Sequence, residues 1–127
     1  MDDEDRRLWV GLMRKAGLQA GWTTHAWCLM TTHYHLLVEV GHGDVSAAVR
    51  RLNGDYAREF NRRHDRRGHL WGERFRAWAV EHAEHFNAAI AYVLENPVRA
   101  GLVEHPDDWP WLGSRHLVPA GVVGTAL

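Results

Sequence analysis

The amino-acid sequence predicts an α+β sandwich in which helices cover an antiparallel sheet. Two features of the hydrophobic pattern lead to this fold class. Apolar residues recur at helical spacing in three segments, and β-rich runs bounded by turn residues lie between those segments. The predicted order along the chain is α-β-β-α-β-α. The length of 127 residues fits one domain with one core.

The first half of the chain is predicted to form a helix, two strands and a second helix. Acidic residues 2–5 begin the first helix, which continues to Gly17 or Gly21. The strands occupy residues 23–30 and 33–40, joined by Thr31-Thr32. Apolar residues of the second helix recur at intervals of four, three, four and four, which describes one buried stripe: Val45, Val49, Leu52, Tyr56 and Phe60.

The second half is predicted to contain a short strand at residues 75–81 and a third helix at residues 82–95. Asn96-Pro97 ends this helix, because the residue before a proline is disfavoured in the α region. The buried face of the third helix is predicted to consist of Phe86, Ala89, Ile90, Val93 and Leu94.

Composition argues against a membrane protein, a secreted scaffold and a zinc ribbon. No apolar run approaches the ~18–20 residues that span a bilayer, and the acidic N-terminus is unlike a secretory signal. Cys28 is a single cysteine, which allows neither an internal disulfide nor a cysteine-based zinc site. A reducing cytoplasm is therefore the expected location, and no membrane partner is expected.

Positive charge is concentrated in one segment, although the whole chain has a net charge of −1. Between residues 50 and 76, nine arginines and four acids give a net charge of +5. Such a segment can bind DNA phosphates, with a solvated helix face as the alternative. The predicted DNA-binding residues are Arg50, Arg51, Arg58, Arg62, Arg63, Arg66, Arg67, Arg74 and Arg76.

His33 and His35 form the first candidate site. Residues i and i+2 of a strand point to the same face, ~6.5–7 Å apart, so both imidazoles face the more polar side of the predicted strand. Two such imidazoles can bind a divalent cation. The chain has 10 histidines, so a chance pair at this spacing is the alternative.

Tyr92 and Asn96 form the second candidate site, because residues four apart share a helix face. Tyr92 lies outside the apolar stripe of its helix, whereas Tyr56 lies inside the stripe of the second helix. Tyr92 is therefore the candidate for an exposed phenol. A phenol acting as a nucleophile needs an activated electrophile, such as a phosphate polarised by a metal ion. The two histidines and the amide oxygen of Asn96 could hold that ion.

Four sequence blocks resemble one transposase family. Residues 26–38 (AWCLMTTHYHLLV) resemble the AYVLMPNHVHLLV signature of the HUH-type, single-tyrosine transposases. Residues 60–75 (FNRRHDRRGHLWGERF) are similar to the family's FNRRHGRRGHLWQGRF block. Residues 92–103 (YVLENPVRAGLV) and 108–111 (DWPW) resemble its YIHLNPVRAGLV and DWPWSS stretches. The blocks occur in order over most of residues 2–115 and indicate the REP-associated tyrosine transposase branch.

The resemblance implies a ferredoxin-like sandwich with an antiparallel sheet and helices on one face. It also implies cleavage of single-stranded DNA, often around imperfect hairpins, with Mg²⁺ or Mn²⁺ as cofactor. By position, His33 and His35 would be the metal pair, Asn96 the third ligand and Tyr92 the nucleophile. Attack by Tyr92 would give a 5′-phosphotyrosyl enzyme and a free 3′-hydroxyl that can reverse the reaction. The arginine segment would follow the DNA backbone or hairpin.

The sequence departs from the family pattern at two places. Thr31-Thr32 replaces the usual Pro-Asn before the first histidine. The chain also starts at the acidic helix, so we expect residues 1–115 to be a shortened domain without the family's first strand, followed by a tail at 116–127.

Three functions are compatible with these observations. The first is a metal-dependent endonuclease and strand transferase. The second is a catalytically decayed module that binds structured DNA, and the third is a hydrolase that uses water. The sequence leaves a homodimer open and places the protein near the nucleoid.

Overall fold

The computed structural model describes residues 2–31, 33–40, 45–68, 76–79 and 86–114, with only the backbone described at residues 40, 76–79 and 86. Within these residues, helices and strands alternate largely as predicted. Their bounds are α1 Asp3–Ala20, β1 Trp22–Leu29, β2 Tyr34–Val40, α2 Val45–His64, β3 Arg76–Ala79, α3 Phe86–Leu94, α4 Asn96–Arg99, a 3₁₀ turn Pro106–Asp108, and β4 Leu112–Ser114.

The sheet has the strand order β3-β2-β1-β4. β1 is antiparallel to both β2 and β4, which confirms the predicted antiparallel sheet for these three strands. β3 pairs with β2 in parallel, because α2 carries the chain back across the sheet before β3 begins. The expectation of an absent first strand stays a prediction.

Helix α1 begins at a capping box. The Asp2 carboxylate accepts a hydrogen bond of 2.8 Å from the Asp5 backbone N–H, and the Asp5 carboxylate accepts one of 3.0 Å from the Asp2 N–H. The helix ends at Gly21, whose φ of 71° is the left-handed conformation that glycine adopts without strain. Both the predicted start and the later of the two predicted ends are therefore confirmed.

Helices α1 and α2 pack on one face of the sheet. Trp9 of α1 lies against Tyr34 of β2, with ring centroids 4.8 Å apart. The predicted stripe of α2 contributes four buried residues to the same core: Val49, Leu52, Tyr56 and Phe60. Burial of these large apolar side chains is the main force that holds the helical layer on the sheet.

Helix α3 packs on the opposite face, which differs from the expectation of helices on one face. Ile90 and Val93 pack there in one core with Ala26, Cys28 and Leu37. The reason is that alternate residues of β1 and β2 are apolar on both sides, so each face of the sheet needs a cover. The face that carries the histidines is consequently only partly open.

The third helix ends one residue before its predicted end, and a short helix follows it. α3 ends at Leu94 and α4 begins at Asn96, so Pro97 occupies a first helical turn, where its missing N–H needs no partner. Residues 82–85 of the predicted helix and residues 75, 80 and 81 of the predicted strand lie outside the described residues.

Strand β4 was not predicted. It pairs with residues 26–28 of β1, and two hydrogen bonds hold the segment just before it at the end of β1: from the Trp109 indole N–H to the Leu29 carbonyl at 3.0 Å and from the Leu29 N–H to the Trp111 carbonyl at 2.8 Å. In the described part of the chain, no helix is both long and apolar enough to cross a membrane.

Candidate active site

The predicted histidine pair lies at the start of β2. The ring centroids of His33 and His35 are 5.1 Å apart and their planes are nearly perpendicular, at 77°. The side chain of His35 is buried and that of His33 is partly exposed. The His33 carbonyl accepts a hydrogen bond of 2.8 Å from the Met30 N–H, which joins the end of β1 to the start of β2; Thr32 lies outside the described residues.

Tyr92 of α3 lies beside this pair. Its ring centroid is 6.0 Å from that of His35, in an edge-to-face arrangement at 81°. Because Ile90 and Val93 bury the apolar side of α3 against the sheet, Tyr92 is left at the border of the interface and is 47% exposed. Tyr56 is fully buried, so the predicted contrast between an exposed and a core tyrosine is confirmed.

Asn96 lies next to Tyr92 at the junction of α3 and α4. Its Nδ2 donates hydrogen bonds to the Tyr92 carbonyl at 3.0 Å and to the Val93 carbonyl at 3.3 Å. Among the described residues, no hydrogen bond uses its Oδ1. Asn96 is only 9% exposed. Its nitrogen is therefore engaged with the helix end, and its oxygen is the atom available to a ligand.

The two imidazoles and this amide oxygen are a donor set that a divalent ion accepts. Imidazole suits several transition metals, and carbonyl oxygens suit Mg²⁺ and Mn²⁺. The sharing of one strand face by His33 and His35 and the engagement of the Asn96 nitrogen both fit the predicted ligand set. The chemistry of the residues present is therefore compatible with the expected ion.

Arg99 is a residue of this site that the sequence reasoning missed. Its guanidinium carbon lies 4.1 Å from the centroid of the Tyr92 ring. One of its nitrogens donates to the Tyr92 backbone carbonyl, and another lies 3.4 Å from a carboxylate oxygen of Glu95. The signal was present in the sequence, because residues seven apart, like residues four apart, return to the same face of a helix.

Cys28 lies under the same face of the sheet, paired in register with His35. Burial raises the pKa of its thiol to about 12, and its Sγ lies 3.6 Å from the Met30 sulfur. A thiol in this state is not a nucleophile at neutral pH. Cys28 is therefore part of the core.

A second group of candidate metal ligands lies at the other side of the molecule. The side-chain oxygens of Asp2 and Asp5 and a ring nitrogen of His64 lie within 4.8 Å of one another. The guanidinium of Arg63 donates to both carboxylates, and it also bonds to Glu4 at 2.6 Å. Because the Arg63 guanidinium already bonds to oxygens of these acids, the group joins α1 to α2.

Comparison with known proteins decides the family. Residues 2–96 match the family model described as "Transposase IS200 like". The chain belongs to this family. It is similar to a protein of Haemophilus influenzae (strain Rd) that is named as a REP-associated tyrosine transposase, with 28% identity over 99 residues. That match covers 69% of this chain and 56% of the relative, so the chain spans little more than half of the relative's length.

A solved structure agrees with the fold of this transposase chain. It is the structure of a REP-associated tyrosine transposase bound to a REP hairpin, with a TM-score of 0.70 at 17% identity. The match covers 98% of this chain and 77% of the solved one. The similarity shows that the transposase fold extends over nearly the whole chain.

The structure divides the arginines of the predicted DNA-binding segment into two groups. Arg58 pairs with Asp55, and Arg62 lies 2.7 Å from Glu59 on the same helix. Arg63 bonds to the acids at the start of α1, and its role in DNA binding stays a prediction.

The remaining arginines of the segment differ in their surroundings. Arg50, Arg51 and Arg67 are exposed and form no ion pair with the described residues, and Arg66 lies 5.6 Å from the Phe60 ring. Arg74 and the side chain of Arg76 lie outside the described residues.

Further cations on α1 were missed by the sequence reasoning. Arg7, Arg14 and Lys15 are exposed, and no acidic residue occurs from position 6 to position 38. Because α1 begins where α2 ends, at the Asp5–Arg63 contact, the two helices run in opposite directions. The cations in the second half of α1 therefore lie at the same end of the helical layer as Arg50 and Arg51.

Proposed function

We propose that this transposase-family chain cuts single-stranded or hairpin-bearing DNA through a covalent bond to Tyr92. One observation supports the proposal most directly: the only half-exposed phenol among the described residues lies 6.0 Å from the buried ring of His35. An exposed tyrosine with no site beside it would be an ordinary surface residue. Tyr92 instead lies beside His35, whose ring neighbours that of His33, and its backbone carbonyl is bonded to Asn96, so the phenol has residues near it that can bind a metal ion.

The proposed step is a phosphoryl transfer to the phenol. The Tyr92 oxygen attacks the scissile phosphorus, and the bond from phosphorus to the 3′ oxygen breaks. The phenol loses its proton, and the departing 3′ oxygen gains one. The products are a 5′-phosphotyrosyl link and a free 3′-hydroxyl. The bond energy of the phosphodiester is kept in this link, so the reverse attack by a 3′-hydroxyl rejoins the strands without another energy source.

His33, His35 and the Asn96 Oδ1 would hold Mg²⁺ or Mn²⁺ in this proposal. A bound divalent ion supplies charge that polarises the phosphate. The residues themselves have further roles. His35 packs against the Tyr92 ring, and the Asn96 Nδ2 fixes the Tyr92 carbonyl at the helix end. Both contacts keep the phenol at the open border of α3.

Contact with the DNA backbone is assigned to the cations that have no acidic partner among the described residues. An arginine already paired with a carboxylate loses that pairing when it binds a phosphate, whereas an unpaired one only releases counterions. The proposed backbone contacts are Arg14, Lys15, Arg50, Arg51 and Arg67, whereas Arg58 and Arg62 are expected to contribute little.

A covalent-adduct assay tests the chemistry. Labelled hairpin-bearing single-stranded DNA is incubated with the protein and Mn²⁺, and protein-linked DNA is resolved on a denaturing gel. The adduct is expected for wild type and for Tyr56→Phe, a matched change at a buried tyrosine, and is expected to disappear in Tyr92→Phe. Binding without an adduct in the wild type would favour the decayed DNA-binding module. Cleavage without protein-linked DNA would favour the water-using hydrolase.

Metal binding is tested separately from activity. Free Mn²⁺ is measured by electron paramagnetic resonance in the presence of protein without DNA. His35→Ala is expected to weaken Mn²⁺ binding at least tenfold, and His105→Ala, at an exposed histidine, is expected to leave it unchanged. Equal Mn²⁺ binding by wild type and His35→Ala would contradict the proposed ligand set.

Salt-dependent binding tests the assignment of the cations. The double variant Arg50→Gln/Arg51→Gln removes two unpaired charges from α2, and Arg58→Gln/Arg62→Gln removes two paired charges from the same helix. The first is expected to reduce the slope of log affinity against log salt by about two, roughly one per phosphate contact. The second is expected to change the slope much less. Equal effects of the two variants would contradict the assignment.

A further inference from the structure

We propose that Arg99 is a positioning residue for Tyr92: it holds the phenol ring in the orientation for attack and keeps a positive charge beside it. This inference rests on the proposed phosphotyrosine chemistry and adds a residue to it. Arg99 lies within the block at residues 92–103, but the sequence analysis assigned no role to it.

The contacts of Arg99 are unusually concentrated on one residue. The guanidinium carbon lies 4.1 Å from the centroid of the Tyr92 ring, and one nitrogen donates to the backbone carbonyl of the same tyrosine. The guanidinium therefore contacts the side chain and the main chain of Tyr92 together. A planar, five-donor group can do this, whereas a lysine ammonium offers only a point charge.

The position of Arg99 at the helix junction explains how it reaches Tyr92. α3 ends at Leu94, where the last carbonyls lack partners within that helix. The Tyr92 carbonyl accepts from both the Asn96 and Arg99 side chains. Because Glu95 has a right-handed helical conformation between α3 and α4, the residue seven positions after Tyr92 comes back to its side.

An exposed tyrosine needs such support, because its side chain can otherwise turn between staggered rotamers. His35 lies edge to face with the Tyr92 ring, at 81°, and the Arg99 guanidinium lies within cation–π distance of the ring. Contacts with two different groups restrict rotation about both side-chain bonds. The Tyr92 ring is thereby held beside His35 while about half of the residue remains exposed to solvent and to DNA.

The charge of Arg99 also favours the reacting state. Negative charge develops on the phenol oxygen and spreads into the ring as the proton leaves and the bond to phosphorus forms. A cation held over the ring stabilises that charge, and it needs no rearrangement because it is already in place. Glu95 accepts a long hydrogen bond of 3.4 Å from the same guanidinium on its exposed side. This contact is not required for the guanidinium to stabilise charge on the phenol.

The test separates positioning from DNA binding. Single-turnover adduct formation at saturating DNA is compared with the dissociation constant for DNA in Arg99→Gln, Arg99→Lys and the matched control Glu95→Gln. Arg99→Gln is expected to slow adduct formation at least tenfold with less than a twofold change in DNA affinity. Arg99→Lys should restore part of the rate, and Glu95→Gln should retain the wild-type rate. A weakened affinity with an unchanged rate would overturn the inference, since Arg99 would then be a DNA contact.

A measurement that needs no activity distinguishes this inference from the proposed function. In protein with ¹³C-labelled tyrosine, the Tyr92 ring signal is assigned by its loss in Tyr92→Phe. Arg99→Gln is expected to shift that signal while those of the buried Tyr34 and Tyr56 stay in place, which also reports that the fold is intact. An unshifted Tyr92 signal would overturn the inference even if the wild type forms the adduct. If the wild-type protein forms no adduct, the proposed function is refuted. The effect of Arg99→Gln on the Tyr92 ring signal then still decides whether Arg99 holds Tyr92.

Discussion

The buried carboxylate of Asp5 accepts a hydrogen bond from the guanidinium of Arg63, 58 residues later in the chain. His64 adds a contact of 2.8 Å to the same carboxylate. Because Asp5 lies in the first turn of α1 and Arg63 in the last turn of α2, the pair joins the two helices at one end. Each charge also lies at the helix end whose dipole it complements.

Removal of Asp5 is expected to destabilise the fold. Asp5→Ala leaves Arg63 and His64 without their shared acceptor and breaks the capping box, so the free energy of unfolding should fall by about 2–3 kcal/mol. The control is Asp3→Ala, an exposed acid two positions earlier in the same turn, which should change it by less than about 0.5 kcal/mol. Urea denaturation followed by circular dichroism measures both. Similar values for the two variants would show that the buried contact adds nothing.

Stability is expected to fall at acid pH in part through Asp2. The hydrogen bond from the Asp5 backbone N–H, with a further contribution from Arg63, lowers the pKa of the Asp2 carboxyl below its usual value near 3.8. A group whose pKa is lower in the folded state stabilises the fold above its unfolded pKa, and the effect is lost as the pH falls through the folded pKa. The variant used to test this is Asp2→Asn, whose side-chain oxygen can still accept the capping hydrogen bond but which lacks the negative charge of the carboxylate.

The acid limb of the stability curve tests this expectation. Urea midpoints are measured between pH 6 and pH 2.5. Wild type should lose more stability over this range than Asp2→Asn, and the difference should develop below about pH 4. Parallel curves would mean that Asp2 contributes nothing to the acid dependence.

Two glycines of α1 are expected to respond oppositely to the same substitution. A Cβ on Gly17 would lie 2.4 Å from the indole nitrogen of Trp22, whereas a Cβ on Gly11 would meet nothing within 4 Å. Gly11→Ala should stabilise the protein by up to about 1 kcal/mol, the usual helix preference of alanine. Gly17→Ala should destabilise it by about 1–3 kcal/mol, because the buried indole must move. Thermal or urea unfolding that gives both variants the same sign would contradict this packing.

The Cys28 thiol is expected to be unreactive in the folded protein. Burial raises its pKa to about 12, so almost no thiolate is present at pH 8. An aromatic disulfide reagent should react with the unfolded chain in urea and leave the native protein largely unmodified over the same time. Rapid reaction of the native protein would show that the face of the sheet beneath the histidines is open to solvent.

The parts of the fold that follow from local patterns were predictable from the sequence. The apolar stripe of α2 and the acidic start of α1 each depend on residues a few positions apart. The exposure of Tyr92 followed from its place on a helical projection. Residues i and i+2 of one strand necessarily share a face, so the juxtaposition of His33 and His35 also followed.

Features that depend on distant contacts were not predictable in the same way. Nothing near Arg63 in the sequence indicates that it forms ion pairs with the acids at residues 2–5. The position of α3 on the second face depends on how both sides of β1 and β2 are covered. β4 has only three residues, too few for a periodic signal, and its pairing depends on Trp109 and Trp111 contacting the end of β1.

The identity of the residue that becomes linked to DNA tests the central claim most directly. The adduct formed with hairpin-bearing single-stranded DNA and Mn²⁺ is digested with nuclease and protease, and the nucleotide-bearing peptide is sequenced by mass spectrometry. We predict a phosphonucleotide on Tyr92 and none on Tyr34 or Tyr56. A phosphonucleotide on any other residue, or cleaved DNA with no modified peptide, would contradict the account.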